Sequence, residues 1–245
     1  MIGPPALGAG PIVRPFFNRG PTGPPPDTIQ RTALGTDTQF SAAVASLTIP
    51  GLSIPAGSTL MGALAFNNQV AVDDLTIGCG GATENGGVRL FGSGSTYLLR
   101  YFYFHMNQAP YSGDLVFDFS TSSGQPTVAT AFAISVTGLL DAPLDRNKNA
   151  VGTSGTQDSG LTAVTTQAHE YLLCCIATTG KNPTDTRGTW QAGVAAGQRC
   201  GGGTSATVDL KEGWAVVNAT GTYRAQVTGA TSKPYGAMIQ TFKGA

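Results

Sequence analysis

Beyond residue 30, no stretch of about twelve residues keeps a helical period, because Gly, Pro, Ser and Asn interrupt every apolar run. What remains is a series of short apolar or alternating segments bounded by turn residues, which is the pattern of β-strands. Strands are expected at Phe40–Ile49, Ser58–Asn67, Leu75–Gly78, Val88–Gly92, Thr96–Met106, Asp114–Ser120 and Val128–Gly138. Further strands are expected at Leu161–Thr165, Tyr171–Thr178, Thr189–Ala195, Thr204–Leu210, Trp214–Ala219, Thr222–Thr228 and Tyr235–Phe242. This spacing predicts an all-β protein, an antiparallel β-sandwich of jelly-roll type, occupying residues 31–245 as a single domain. In TYLLRYFYFHM both alternating sets are bulky. Leu98, Arg100, Phe102, Phe104 and Met106 are expected to face the core, and the tyrosine face to be covered by another part of the protein. The last strand is expected to close the sandwich by pairing near the first.

Residues 1–30 read differently. They hold eight of the fifteen prolines and a single acid, Asp27, so they cannot build a core and are expected to run as an extended arm. At about 3 Å per residue such an arm would reach about 80 Å, against about 45 Å for a compact body of the remaining length. It is long enough to reach a neighbouring subunit. The contacting residues expected along it are Pro4, Pro5, Pro11, Arg14, Pro15, Phe16, Phe17, Arg19, Pro24 and Pro25.

Charge narrows the partners. Only 11% of residues are charged and the formal net charge is zero, so nothing draws the chain to phosphate backbones or anionic lipid. Neither nucleic acid nor a membrane is an expected partner. No basic and apolar leader opens the chain and no segment has transmembrane length, which predicts synthesis in a host cytoplasm without export.

Catalytic patterns are sparse. There is no G-x-S-x-G elbow, and the two histidines, His105 and His169, lack a sequence context for acid–base work. The carboxylate pairs Asp73/Asp74, Asp114/Asp118 and Asp141/Asp145 are weighed for glycoside hydrolysis and read as strand and turn residues. DAPLDRNKN offers oxygen ligands for calcium but not the spacing of a calcium loop, and it is read as a loop shaped by its Asp and Asn side chains. No catalytic residue, metal or cofactor is assigned. Cys174 and Cys175 are expected on opposite strand faces, one buried and one outward. A disulfide between Cys79 and Cys200 is a candidate, because each precedes a glycine-rich loop. Trp190 and Trp214 are the candidate glycan-stacking residues, with core packing as the competing reading.

Several segments together, IPAGSTLMGALAF, DLVFDFS, TAFAISVTGLLDAPLDRNKNAVGTSG, LTAVTTQAHEYLLCCIAT and the closing GTYRAQVTGATSKPYGAMIQTFKGA, carry a resemblance. From about Phe40 to Lys243 the chain resembles the β-sandwich domains of tailed-phage virion structural proteins and related bacterial surface domains. The resemblance implies a binding or structural module without an active site. The expected function is a non-enzymatic virion protein, a capsid decoration or cement protein whose arm clamps neighbouring subunits. Its expected partners are the major capsid protein or further copies of itself in a homo-oligomeric assembly, and its expected location is the virion. The alternative is a carbohydrate-binding or adhesion module on a phage tail fibre or bacterial surface.

Overall fold

The computed structural model describes residues 28–40, 43–67, 75–80, 84, 89–91, 98–106, 109–120, 125–179, 187–201 and 208–245. The arm residues named above lie outside these, as do Asp73 and Asp74. The described residues form β-strands and no helix. The first eight strands are β1 (Gln30–Phe40), β2 (Ser46–Ile54), β3 (Thr59–Asn67), β4 (Thr76–Cys79), β5 (Arg89–Phe91), β6 (Leu98–His105), β7 (Tyr111–Asp118) and β8 (Val128–Thr137). They form an inner sheet in the order β1-β8-β3-β6-β5 and an outer sheet in the order β2-β7-β4, with every pairing antiparallel. This is jelly-roll order, except that the fifth strand joins the inner sheet.

Eight more strands follow: β9 (Leu139–Ser154), β10 (Gln157–Asp158), β11 (His169–Thr179), β12 (Arg187–Trp190), β13 (Ala195–Gly201), β14 (Val208–Asn218), β15 (Gln226–Ala230) and β16 (Lys233–Gly244). They give a second inner sheet, β13-β14-β11-β16-β9, and a second outer sheet, β10-β15-β12. The body is therefore four sheets deep, with the two inner sheets face to face.

Sequence accounts for the layering. β3, β8, β11 and β16 are near-continuous apolar runs and are buried along almost their whole length, as strands covered on both faces must be. Gly62 in β3 is required by closeness, since a Cβ there would collide with the Phe132 carbonyl and come within 2.8 Å of the Phe102 ring. β2 and β7 alternate between buried and exposed residues, as expected of a sheet with one wet face.

Three apolar layers result. Leu47, Ile49, Phe102, Phe104 and Phe117 fill the space between the first outer and inner sheets. The mid-plane between the inner sheets holds Tyr101, Tyr103, Tyr171, Leu173, Cys175 and Phe242. The tyrosine face of β6 is thus covered from within the chain, by the second inner sheet, and Phe242 meets both tyrosine rings edge-on at 6.3 and 5.7 Å. Leu172, Cys174, Ile176, Ile239 and Val227 fill the last layer.

Several expectations are corrected. Cys174 and Cys175 do face opposite ways, but neither points outward, because β11 has a packed layer on each side. DAPLDRNKN is not a loop. It belongs to β9, an edge strand paired only with β16, where Asp141, Asp145, Arg146 and Lys148 are tolerated because one side of the ladder is open. Leu161–Thr165 is not a strand, and residues 208–210 and 214–218, expected in two separate strands, belong to one, β14, while 204–207 lie outside the described residues. β16 pairs with β11 and β9, not with β1; the first half closes on itself by β1 pairing with β8.

Gln240 lies in β16 between Met238 and Phe242, fully buried, and neither its amide oxygen nor its nitrogen has a hydrogen-bond partner. Two unpaired polar atoms in an apolar layer cost about 1–3 kcal/mol. Gln240→Met keeps the volume and removes them, and it is expected to raise the thermal midpoint by roughly 2–8 °C in a calorimetric scan.

Candidate functional site

The second half carries a cavity of about 160 Å³ between β13–β14 and the outer strand β12. Gly188, Trp190, Gln198, Arg199, Lys211 and Glu212 are among the residues that line it. Local sequence shapes it. The register of β13 against β14 slips between Ala196 and Arg199, so Gly197 and Gln198 bulge out of the ladder opposite Glu212. The Trp190 indole lies against Gly213, where a Cβ would come within 2.9 Å of the ring.

Much of the charge around the cavity is engaged in tight pairs. Arg31 Nε and Nη2 donate to the two Glu212 oxygens at 2.8 and 2.6 Å, and Gln198 N donates to Glu212 Oε2 at 2.6 Å. Arg199 makes the same two-pronged contact with Asp209, both bonds at 2.8 Å. Lys211 Nζ donates to Gln157 Oε1 at 3.2 Å. Gln198 Nε2 reaches across to the Ala133 carbonyl at 2.6 Å, tying the bulge to the first inner sheet. An indole wall edged by amide and cationic groups is suited to a polar ligand with one apolar face.

The two tryptophans part company. Trp190 faces the cavity and is half-buried, whereas Trp214 belongs to the mid-plane, stacked on Tyr171 at 6.4 Å with the Arg31 guanidinium 5.6 Å from its ring centre. The Cys79–Cys200 bond is not formed. Cys79 lies in the layer of the first outer sheet and Cys200 in the mid-plane, with the first inner sheet between them, and both are free thiols. Burial pushes the Cys79 thiol up to about 11, against a hydrogen bond from Tyr111. Burial also pushes Cys200 up to about 12, against the Thr130 hydroxyl, so both stay protonated and unreactive near neutral pH.

The remaining candidates hold structure in place. Asp114 Oδ1 accepts from Gly51 N at 2.9 Å and Asp118 Oδ1 from Ser120 N at 2.7 Å. Asp145 accepts from the Thr166 N–H at 2.6 Å and hydroxyl at 2.7 Å. His105 contacts the Thr59 hydroxyl at 2.8 Å and Asp141 at 3.3 Å, and His169 Nδ1 donates to Asn218 Oδ1 at 2.7 Å. Among the described residues no group of three His, Cys, Asp or Glu side chains could hold a metal ion. The cavity residues Gln198, Arg199, Lys211 and Glu212 escaped the sequence reading. The signal for them was DLKE at 209–212, three charges in four residues of a chain that is only 11% charged. No protein-family model matches this chain, and neither the curated proteins nor the solved structures contain a match to it.

Proposed function

We propose that the chain is a non-enzymatic structural protein of a virus particle, a capsid decoration protein of the tailed-phage type, anchored by its proline-rich arm. The observation that carries this reading is the stacking of two jelly rolls into one block, whose inner sheets are tied together by the Arg31–Glu212 ion pair. A rigid, charge-poor block is suited to presenting a passive surface in an assembly, and jelly rolls recur in capsid and lectin domains. The arm adds affinity by many small contacts along an extended path, and proline lowers the entropy lost on ordering it. Virus particles purified from the source culture are expected to contain the chain in a fixed ratio to the major capsid protein by mass spectrometry. Deleting residues 1–26 is expected to abolish co-sedimentation with capsids and leave the thermal midpoint of the body unchanged. Retained co-sedimentation would overturn the clamp, and absence from particles would overturn the virion assignment.

The Trp190 cavity supports a second reading, a carbohydrate-binding or adhesion module. Under it, Trp190→Ala is expected to lose at least tenfold in affinity in a glycan titration, while Trp214→Ala lowers stability without a direct effect on affinity. No binding by the wild-type chain to a broad glycan array removes this reading.

A further inference from the structure

The two halves share more than an architecture. Adding eight to each strand label of the first half reproduces the second: β1-β8-β3-β6-β5 becomes β9-β16-β11-β14-β13, and β2-β7-β4 becomes β10-β15-β12. The ladders extend the match to single residues. With Thr59 aligned to Tyr171, whose ladder partners are Val136 and Phe242, Phe132, Ile134 and Val136 fall opposite Met238, Gln240 and Phe242 on the mid-plane face. Thr59 pairs in turn with His105, and Tyr171 with Val216. Five residues before these stand Arg100 and Lys211, buried cations that each face their own outer sheet. Arg100 donates to the Leu75 carbonyl and to Glu84, and Lys211 to Gln157. Two residues after them stand Phe102 and Gly213, and the Trp190 indole occupies in the second half the space that the Phe102 ring fills in the first.

The packing of the halves follows nearly the same symmetry, the exception being a contact of β13 with β8 that β5 and β16 do not match. β1 lies against β13 and β5 against β9; β8 lies against β14 and β6 against β16; β3 meets β11. Exchanging the halves turns each of the first two pairs of contacts into one another and leaves the third unchanged. That is the mark of an isologous two-fold contact with β3 and β11 on the axis. The contact has the anatomy of a permanent interface, with an apolar centre of aromatic rings and the Arg31–Glu212 and Gln198–Ala133 bonds toward the β1 and β13 edges.

We infer that the chain is a fused two-fold dimer of one jelly-roll unit, and that its mid-plane holds the halves together without the peptide link between them. That link is the single residue Gly138, between β8 and β9. The start of the second unit and the ends of both units meet there. Ala245 N donates to the Gly138 carbonyl at 2.9 Å, and Gly138 packs against the Thr28 carbonyl. The order of the units along the chain is therefore exchangeable.

A permuted chain tests this. It begins at Leu139, joins Ala245 to Thr28 through a short Gly-Ser linker carrying a protease site, and ends at Gly138. It is expected to show the circular dichroism of the full chain and to unfold within a few degrees of a chain starting at Thr28. After cleavage of the folded protein, the two fragments are expected to elute together at the uncut size at micromolar concentration and to separate only in denaturant. A permuted chain that does not fold, or fragments that run apart in native buffer, overturns the inference.

Discussion

Arg31→Met is expected to cost about 3–5 kcal/mol, the loss seen when one partner of a buried ion pair is removed. The Glu212 side chain is fully buried and takes two of its hydrogen bonds from Arg31, whose own side chain is 13% exposed. Without the guanidinium, the carboxylate keeps the Gln198 N–H but loses the cation that holds both its oxygens beside a layer packed with aromatic rings. Arg31 also covers the Trp214 ring, so its removal opens the stack on Tyr171. Because the pair joins β1 to β14, the damage falls on the contact between the halves. Urea titrations should show a lower midpoint and, if the halves part before they unfold, two transitions in place of one. The double variant Arg31→Met, Glu212→Leu removes both charges together and is expected to recover most of the loss. A single variant within about 1 kcal/mol of wild type would show that this bond is not what holds the mid-plane.

The strand content and the jelly-roll type were legible because turn residues divide the chain at regular intervals and nothing sustains a helical period. Depth was harder to read. TLMGALAF, VATAFAISV, YLLCCIA and GAMIQTF are apolar on both strand faces, which is the signature of sheets covered twice. Taken one at a time, each also fits the core of an ordinary sandwich. The outward cysteine expected at 174 or 175 followed from that simpler picture, and so did the single closure of the last strand on the first. The duplication left little trace in side chains, since Ile134 corresponds to Gln240 and Phe102 to Gly213; it survives in hydrogen-bond ladders, which sequence does not list. β9 departs from the local pattern for a different reason. An edge strand needs to satisfy one neighbour only, so it tolerates the Asp, Asn and Pro content that elsewhere signals a loop.

The cavity was legible only at Trp190, one of the chain's two tryptophans and one of the two candidate stacking residues. The other lining groups come from a bulge and from charges whose partners lie far away in sequence, with Arg31 and Glu212 separated by 181 positions. Register slips and long-range ion pairs depend on the finished fold, so no local pattern announces them.

Glu170→Gln is expected to stabilise the protein at pH 8 and to change little at pH 4. The Glu170 carboxyl is fully buried in β11 and neither oxygen meets a hydrogen-bond donor in good geometry. Burial pushes it up to about 7, against the pull of the nearby Thr241 hydroxyl and helped by the neighbouring Asp145 carboxylate. Asp145 itself moves the other way. Burial works to raise it, but the hydroxyl and N–H of Thr166 hold it below its ordinary range, so it stays charged beside Glu170. In the unfolded chain Glu170 loses its proton near 4.5, while in the folded chain it keeps it to about 7. Between these values the folded state binds more protons, so stability falls as pH rises through that window, and the full cost is present above it. That cost is on the order of 3 kcal/mol, or roughly 5–10 °C in the thermal midpoint of a chain this size. Glutamine keeps the shape and cannot ionise, so the variant escapes the cost above pH 7 and resembles the protonated wild type below pH 4.5. Comparing the two proteins at each pH cancels the titration of groups that are not coupled to Glu170, which leaves Glu170 and its neighbour Asp145. An equal gain at pH 4 and pH 8 would mean that glutamine merely packs better there, and a loss at pH 8 would mean that the charged carboxylate is held by a partner that the fold provides.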